Sequence, residues 1–325
     1  MNKLSIIIPT YNHRDVLRKT LAAYRSQSAH QAILEILVVD DGSIDGTESA
    51  VVQGAEGSPV PIRHLRQDNR GQASARNRGI CEARGEIALF GDDDMIPAGN
   101  LVSEHLAWHK RHPETSVGVL GHVAWSPEVH PTPFMKWLGL AGPLFDYQSL
   151  SRGMQVDCTH FYSNNISLKI EFLRENGTFD EDFRTYGYED FELGYRLTKR
   201  GLRLLYNPDA IGYHYKYMSF ADVCRRAELV EAAERVLRTK EAWVYLAERA
   251  ARRQRSLKNP LRKLLTRWLP PALAPLKPLL DTQIPLPWIV YRALYRYYCL
   301  SKAEPAEATI CGDEESQIRP GSQRP

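Results

Sequence analysis

The sequence predicts an α/β protein: a largely parallel sheet with helices on both faces, plus a C-terminal, mainly helical extension. Two observations predict the sheet. Short apolar runs at residues 4–8, 35–39 and 86–90 each stop abruptly at Pro, Asp or Gly, as buried strands do. Segments with apolar positions at helical spacing lie between them, and strands alternating with helices point to a parallel sheet. A third observation predicts the extension: beyond residue 219 the chain becomes Arg- and Glu-rich and helical in pattern. The 325 residues are ample for a buried core, and 43% hydrophobic with 25% charged residues is an ordinary globular composition. A formal charge of +3 excludes a uniformly polybasic nucleic-acid binder and an acidic disordered chain.

Taken in order, residues 4–8 form a strand closed by Pro9. Residues 13–27 set Val16, Leu17, Leu21 and Tyr24 at helical spacing. Residues 35–39 are a second strand, ended by Asp40, Asp41 and Gly42, and residues 62–65 a weaker third. Residues 73–83 read as a helix entered through Gly71. The fourth strand, 86–90, ends at Gly91 and three aspartates. Residues 117–124 add a strand. Residues 126–157, rich in Pro, Gly and aromatics without a period, read as an excursion or lid. Extended character resumes at 160–168, a short helix follows at 189–199, the last strand at 202–206, and strong helix at 220–255. The expected division is a catalytic α/β domain at 1–218, a basic helical extension at 219–300 and a disordered polar tail at 301–325.

Five cysteines (Cys81, Cys158, Cys224, Cys299 and Cys311) show no CxxC or Cys/His spacing. They read as reduced thiols rather than a disulfide framework or a zinc site. The apolar start is too short for a signal-peptide core, and no segment reaches the 18 or so apolar residues of a membrane-spanning helix. The expected location is cytoplasmic.

The chemistry gathers at strand ends, where open α/β sheets bind ligands. Asp92, Asp93 and Asp94 are adjacent carboxylates that repel one another, and a divalent cation is the simplest countercharge. In an extended segment Asp92 and Asp94 would share one side. Asp40 and Asp41 form a second acidic strand end, equally compatible with turn chemistry. The stretch 69–79 joins a flexible loop, a helix start and Arg70, Arg76 and Arg78, which suits phosphate. Glu189 and Asp190 open a helix; the helix dipole alone could explain them, but neighbouring Tyr188, Phe191 and Leu193 suggest a pair at a core edge, where a carboxylate makes a good general base. His214 is a candidate metal ligand.

The order IIIPTYN, VVDDGSIDGT, NRGQASARNRGI, ALFGDDDMIP, GYEDFELGYRL and a downstream His strongly resembles glycosyltransferase family 2 across roughly residues 3–218. The resemblance implies the GT-A fold, a nucleotide-sugar-binding sheet. It places Pro9, Thr10 and Tyr11 against the nucleoside, Asp41 at the uracil edge, Arg76 near the donor and Asp92 on the ribose. Asp93 joins the donor-binding set, Asp94 and His214 hold Mg2+ or Mn2+, and Asp190 is the catalytic base with Glu189 beside it. The implied reaction is inverting, metal-dependent transfer from a nucleotide-sugar donor, UDP-linked by the Asp41 match, to a glycan or lipid-linked acceptor in cell-surface polysaccharide or glycoconjugate synthesis. FGDDDMIP departs from the usual pattern in its Gly and third Asp. The alternatives are a metal-dependent nucleotidyltransferase or phosphohydrolase, and a catalytically silent nucleotide-sugar-binding protein. The absence of GxGxxG after the first strand disfavours a dinucleotide oxidoreductase.

Residues 225–300 carry sixteen Lys/Arg and six Asp/Glu, interleaved with Leu261, Leu264, Leu265, Trp268, Leu269, Trp288, Ile289, Val290, Tyr291 and Leu294. Basic amphipathic pieces with Trp and Tyr read as a membrane-surface contact through 257–300, peripheral on the inner face; packing on the catalytic domain or a dimer contact would look similar. No nucleic-acid motif accompanies the charge.

Overall fold

A computed structural model describes residues 3–255 and 271–300. Its strands are β1 (Leu4–Thr10), β2 (Ile33–Asp40), β3 (Ile62–Arg66), β4 (Ile87–Gly91), β5 (Met95–Pro97), β6 (Val117–Trp125), β7 (Gln155–Val156), β8 (Asn165–Lys169) and β9 (Arg203–His214). They form one sheet in the order β3-β2-β1-β4-β8-β6-β9-β5, with β7 pairing to β9. The first four strands are parallel, as the sequence predicts. Beyond β4 the sheet is mixed: β8 runs antiparallel between β4 and β6, while β6 and β9 are parallel. Every residue of β1 and of β4 is buried, which is why both read as unbroken apolar runs. Pro9 does not close β1. It lies past the last β1–β4 pair, Ile7 with Phe90, and pairs only toward β2, so its missing N–H leaves no gap in the ladder.

The helices are α1 (Arg14–Arg25), α2 (Thr47–Ala55), α3 (Gln72–Glu82), α4 (Leu101–Arg111), α5 (Pro133–Leu140), α6 (Ile170–Asn176), α7 (Glu189–Lys199), α8 (Phe220–Leu237), α9 (Glu241–Arg255) and α10 (Trp288–Tyr295). Helix α1 buries Leu17, Leu21 and Tyr24, the expected stripe. Helix α3 lies close on β1: a Cβ at Gly79 would stand 2.3 Å from Ile7 Cγ2, so only glycine fits there.

Sequence patterning did not single out α4, because two of its core positions are histidines. Its buried residues are Leu101, Val102, His105, Trp108 and His109, a helical stripe once the histidines count as core. Both donate to or accept from Ser167 Oγ (2.7 and 2.8 Å), and His105 also meets Asn165 Oδ1 at 3.0 Å. Burial lowers the pKa of both rings, that of His105 to about 4. The 126–157 excursion contains α5, capped by Thr132, whose Oγ1 accepts from Met135 N at 3.2 Å, with Pro133 in the first turn.

Helix α8 starts with a Ser219/Asp222 capping box. With α9 it closes over α7, burying Ala233, Leu237 and Ala242 with Phe183 and Phe191. Helix α10 docks on α5, with the Tyr291 ring 5.8 Å from Phe134 and 5.9 Å from Trp137. Val290, Tyr291 and Leu294 are thus buried, while Trp288 and Ile289 face solvent. The expectation of reduced thiols needs correction: Cys224 of α8 and Cys299 form a disulfide, Cα–Cα 4.6 Å, whereas Cys81 and Cys158 are free. Their separation of 75 residues in sequence hid the pairing. Leu261, Leu264, Leu265, Trp268, Leu269, Cys311 and the 301–325 tail lie outside the described residues. Among those described, no helix is long and apolar enough to cross a membrane.

Candidate active site

A cleft of about 990 Å³ opens over the carboxyl ends of β1, β2 and β4, and the eleven residues that the family resemblance points to line it: Pro9, Thr10, Tyr11, Asp41, Arg76, Asp92, Asp93, Asp94, Glu189, Asp190 and His214; Asp40, Arg70 and Arg78 do not. His214 is the last residue of β9 itself, since that strand runs well past the expected end at 206.

The aspartate triplet is not extended. It turns, with Met95 N donating to Asp92 O at 3.1 Å, so each carboxylate goes its own way. Asp92 accepts from Arg76 Nη2 at 3.0 Å. Asp93, buried, accepts from Thr10 Oγ1 at 2.7 Å and lies 3.0 Å from His13 Nδ1. Asp94 Oδ2 lies 3.3 Å from His214 Nε2. Burial raises the pKa of Asp93 despite His13, whereas for Asp94 burial is outweighed by His214 and Lys216, which hold it low. His13, Asp93 and Asp94 bring ligand atoms within 4.8 Å of one another. The His214 ring stacks on Trp125, centroids 5.1 Å apart at 15°. Its Nδ1 is buried and meets no hydrogen-bond partner among the described residues.

Asp41 is held inward. It accepts from Gln67 Nε2 (2.9 Å), Arg70 N (2.9 Å) and Gly71 N (2.8 Å), fixing the loop that enters α3. The flexible loop expected at 69–71 is therefore pinned from β2.

Arg76 joins the two acidic groups. Only 2% exposed, it reaches Asp92 and, at 3.4 Å, Glu189 Oε1. Burial opposes its charge, but Asp190, Asp92 and Glu189 outweigh this and raise its pKa. Glu189 Oε2 also accepts from Gly187 N at 2.9 Å, so each oxygen of this carboxylate has a partner. Asp190 is different. Its Oδ2 accepts from Ser163 N at 2.9 Å, while Oδ1, buried, has no partner among the described residues. Burial first, then Glu189, push its pKa up to about 7 against the pull of Arg76. An ionisable carboxylate near neutrality, with one free oxygen in a cleft, is the arrangement of a general base. Tyr188 at φ 65° and Gly187 at φ 120° make the sharp entry to α7; a left-handed tyrosine costs of order 1–3 kcal/mol and marks a backbone held for position.

Sequence reasoning missed His13 and Ser163. His13 follows the PTYN motif directly, so proximity was a signal, but Ser163 acts through its amide, which leaves no trace in residue type. Arg226, also in the cleft wall, lies over the Tyr186 ring at 3.5 Å.

The family described as "Glycosyl transferase family 2" matches residues 5–161, and "Glycosyl transferase family group 2" matches residues 104–300. The uncharacterized glycosyltransferase YfnE of Bacillus subtilis is 28% identical over 259 residues, covering 67% of this chain and 66% of that protein. Validoxylamine A glucosyltransferase of Streptomyces hygroscopicus subsp. jinggangensis is 32% identical over 233 residues, 64% of this chain and 54% of that one. The chain thus spans between half and two thirds of these relatives' length. Among solved structures, the mannosyltransferase PcManGT of Pyrobaculum calidifontis, in complex with GDP-Man and Mn2+, superposes with a TM-score of 0.58 at 22% identity, over 93% of this chain and 88% of that one. S. aureus TarS 1-349 in complex with UDP gives 0.54 at 19%, over 71% and 64%. At such identities the likeness shows the fold, which is GT-A.

Proposed function

Because the chain belongs to glycosyltransferase family 2, we propose that it transfers a sugar from a uridine diphosphate donor to an acceptor hydroxyl, with inversion at the anomeric carbon, in the synthesis of a surface polysaccharide or glycoconjugate. One observation carries the reading: Asp190, with its pKa at about 7 and a free Oδ1, lines the same cleft as Asp92 and Asp94.

Asp190 Oδ1 takes the acceptor proton as the hydroxyl attacks the anomeric carbon from the face opposite the nucleotide. The Ser163 amide fixes the other oxygen and so aims the base. Arg76 keeps the pKa of Asp190 from rising further, and Glu189 anchors Arg76. Asp92 is the contact for the donor ribose, with Pro9, Thr10 and Tyr11 against the nucleoside.

A divalent cation fits the donor set. His13, Asp93 and Asp94 already converge, and His214, whose Nε2 lies 3.3 Å from Asp94 Oδ2, adds a second nitrogen donor to a mixed set suited to Mn2+ or Mg2+. Asp94 and His214 would hold it, with Asp93 and His13 adjacent; when bound, it offsets charge on the departing diphosphate. PcManGT carries Mn2+ with its nucleotide sugar, which supports the assignment.

The test is a calorimetric screen of nucleotides and nucleotide sugars with Mn2+, Mg2+ or EDTA. UDP and a UDP-sugar are expected to bind, more tightly with metal and more weakly in EDTA; indifference to chelation would remove Asp94 and His214 from their roles. The basic stretch 257–300 is proposed as a peripheral membrane contact at the cytoplasmic face, supported by exposed Trp288 and Ile289. The full chain should float with anionic vesicles and lose flotation on deletion of 257–325; equal partitioning of the two forms would reject the contact.

A further inference from the structure

Beside the cleft, between β6 and α5, lies a second cavity of about 340 Å³, within the roughly 300–1,000 Å³ range of small-ligand sites. It shares two residues with the cleft, Phe145 and His214. The Phe145 ring stands 5.1 Å from that of Tyr162, and the next residue, Ser163, holds Asp190. The cavity therefore adjoins the wall behind the proposed base.

Its lining is mostly apolar: Ala124, Trp125, Pro131, Leu140 and Phe145 supply much of it, with Lys136, His122 and His214 as the polar members. The Trp125 indole N–H is already used, donating to Met135 O at 2.6 Å, so the ring offers the cavity carbon alone. His122, also in the lining, is bonded through Nδ1 to the Tyr206 hydroxyl at 2.9 Å. Most of this wall therefore offers an occupant carbon rather than hydrogen-bond partners, which suits an alkyl group better than a polar one. The apolar surface continues outward: Leu140 is 41% exposed and Ile284 52%, and Gln283 Nε2, donating to His130 O at 3.1 Å, brings the Ile284 segment alongside Pro131.

We propose that this cavity is an aglycone subsite, taking the alkyl chain of an acceptor whose sugar hydroxyl reaches Asp190. It rests on the transferase reading above and adds the class of acceptor. Continuity with the cleft makes an acceptor group the occupant, and the apolar exit past Leu140 suits a chain longer than the cavity.

The test titrates the full-length protein, by calorimetry, with octyl β-glucoside below its micelle concentration and with methyl β-glucoside. Octyl glucoside should bind at least about ten-fold more tightly, since each buried methylene adds a favourable increment. Ala124→Phe, which fills the cavity, should erase that advantage, with its melting curve confirming the fold. If Ala124→Phe does not fold, the exposed Leu140→Asp carries the same test. Equal binding of the two glucosides, or an octyl advantage unchanged in a folded variant, overturns the proposal. UDP titrated separately keeps the two readings apart: UDP binding without an octyl advantage overturns the subsite alone, and an octyl advantage without UDP binding overturns the donor reading.

Discussion

Asp190→Asn should lower sugar transfer about 10²–10⁴-fold, the usual contribution of a general base, while leaving UDP binding intact. The amide keeps the shape of the carboxyl and can still accept from Ser163 N through its oxygen, so the cleft wall stays in place. What is lost is a group able to take a proton. In the unaltered protein the rate should rise with pH through about 7, as Asp190 ionises, and the variant's residual rate should lack that limb. Stability should move the other way. A carboxyl whose folded pKa is raised holds its proton more tightly when folded, so the folded state loses stability as pH climbs from the ordinary carboxylate range to about 7. Asn carries no such penalty, and the variant should melt higher than the parent at pH 8. A fully active variant would remove Asp190 from its role.

Arg76→Met should destabilise the fold by about 3–5 kcal/mol at pH 8, because it strips the countercharge from a buried ion cluster. Asp92, Glu189 and Asp190 all draw on this guanidinium. Without it they repel one another, and Asp190, which Arg76 pulls down, should titrate higher still. The activity profile then shifts alkaline, and the stability deficit shrinks toward pH 5 as carboxyls take up protons. Arg76→Lys should fall between, since it keeps the charge but loses the fork that spans Asp92 and Glu189. Denaturant melts at both pH values, with a pH–rate profile, check this. A deficit equal at pH 5 and pH 8 would show that Arg76 matters for packing alone.

The parallel half of the sheet was legible because β1, β2 and β4 are buried on both faces and carry no competing pattern. Helix α4 was not, since His105 and His109 occupy core positions and satisfy their nitrogens on β8. Helix α5 was hidden in a stretch without period, though Thr132-Pro133 marked its start. The site residues were legible because they stand at strand ends and in a helix first turn, positions that sequence reports well. Their pairings were not: the triplet at 92–94 turns where alternation assumed extension, and the Ser163 contact to Asp190 spans 27 residues through a backbone amide. Of the C-terminal apolar positions that are described, Val290, Tyr291 and Leu294 are buried, Tyr291 against Phe134 of α5, while Trp288 and Ile289 face solvent.

Asp41 bears on which nucleotide the cleft takes, by a count of lone pairs. A carboxylate offers about four acceptor sites, and the loop at 67–71 occupies three of them. One site remains for a base. Uracil presents a single ring N–H between two carbonyls, whereas guanine presents a pair of donors that need two acceptors side by side. On the proposed donor reading, that single site would favour uridine over guanosine, because most of the capacity of Asp41 is already spent on holding the loop.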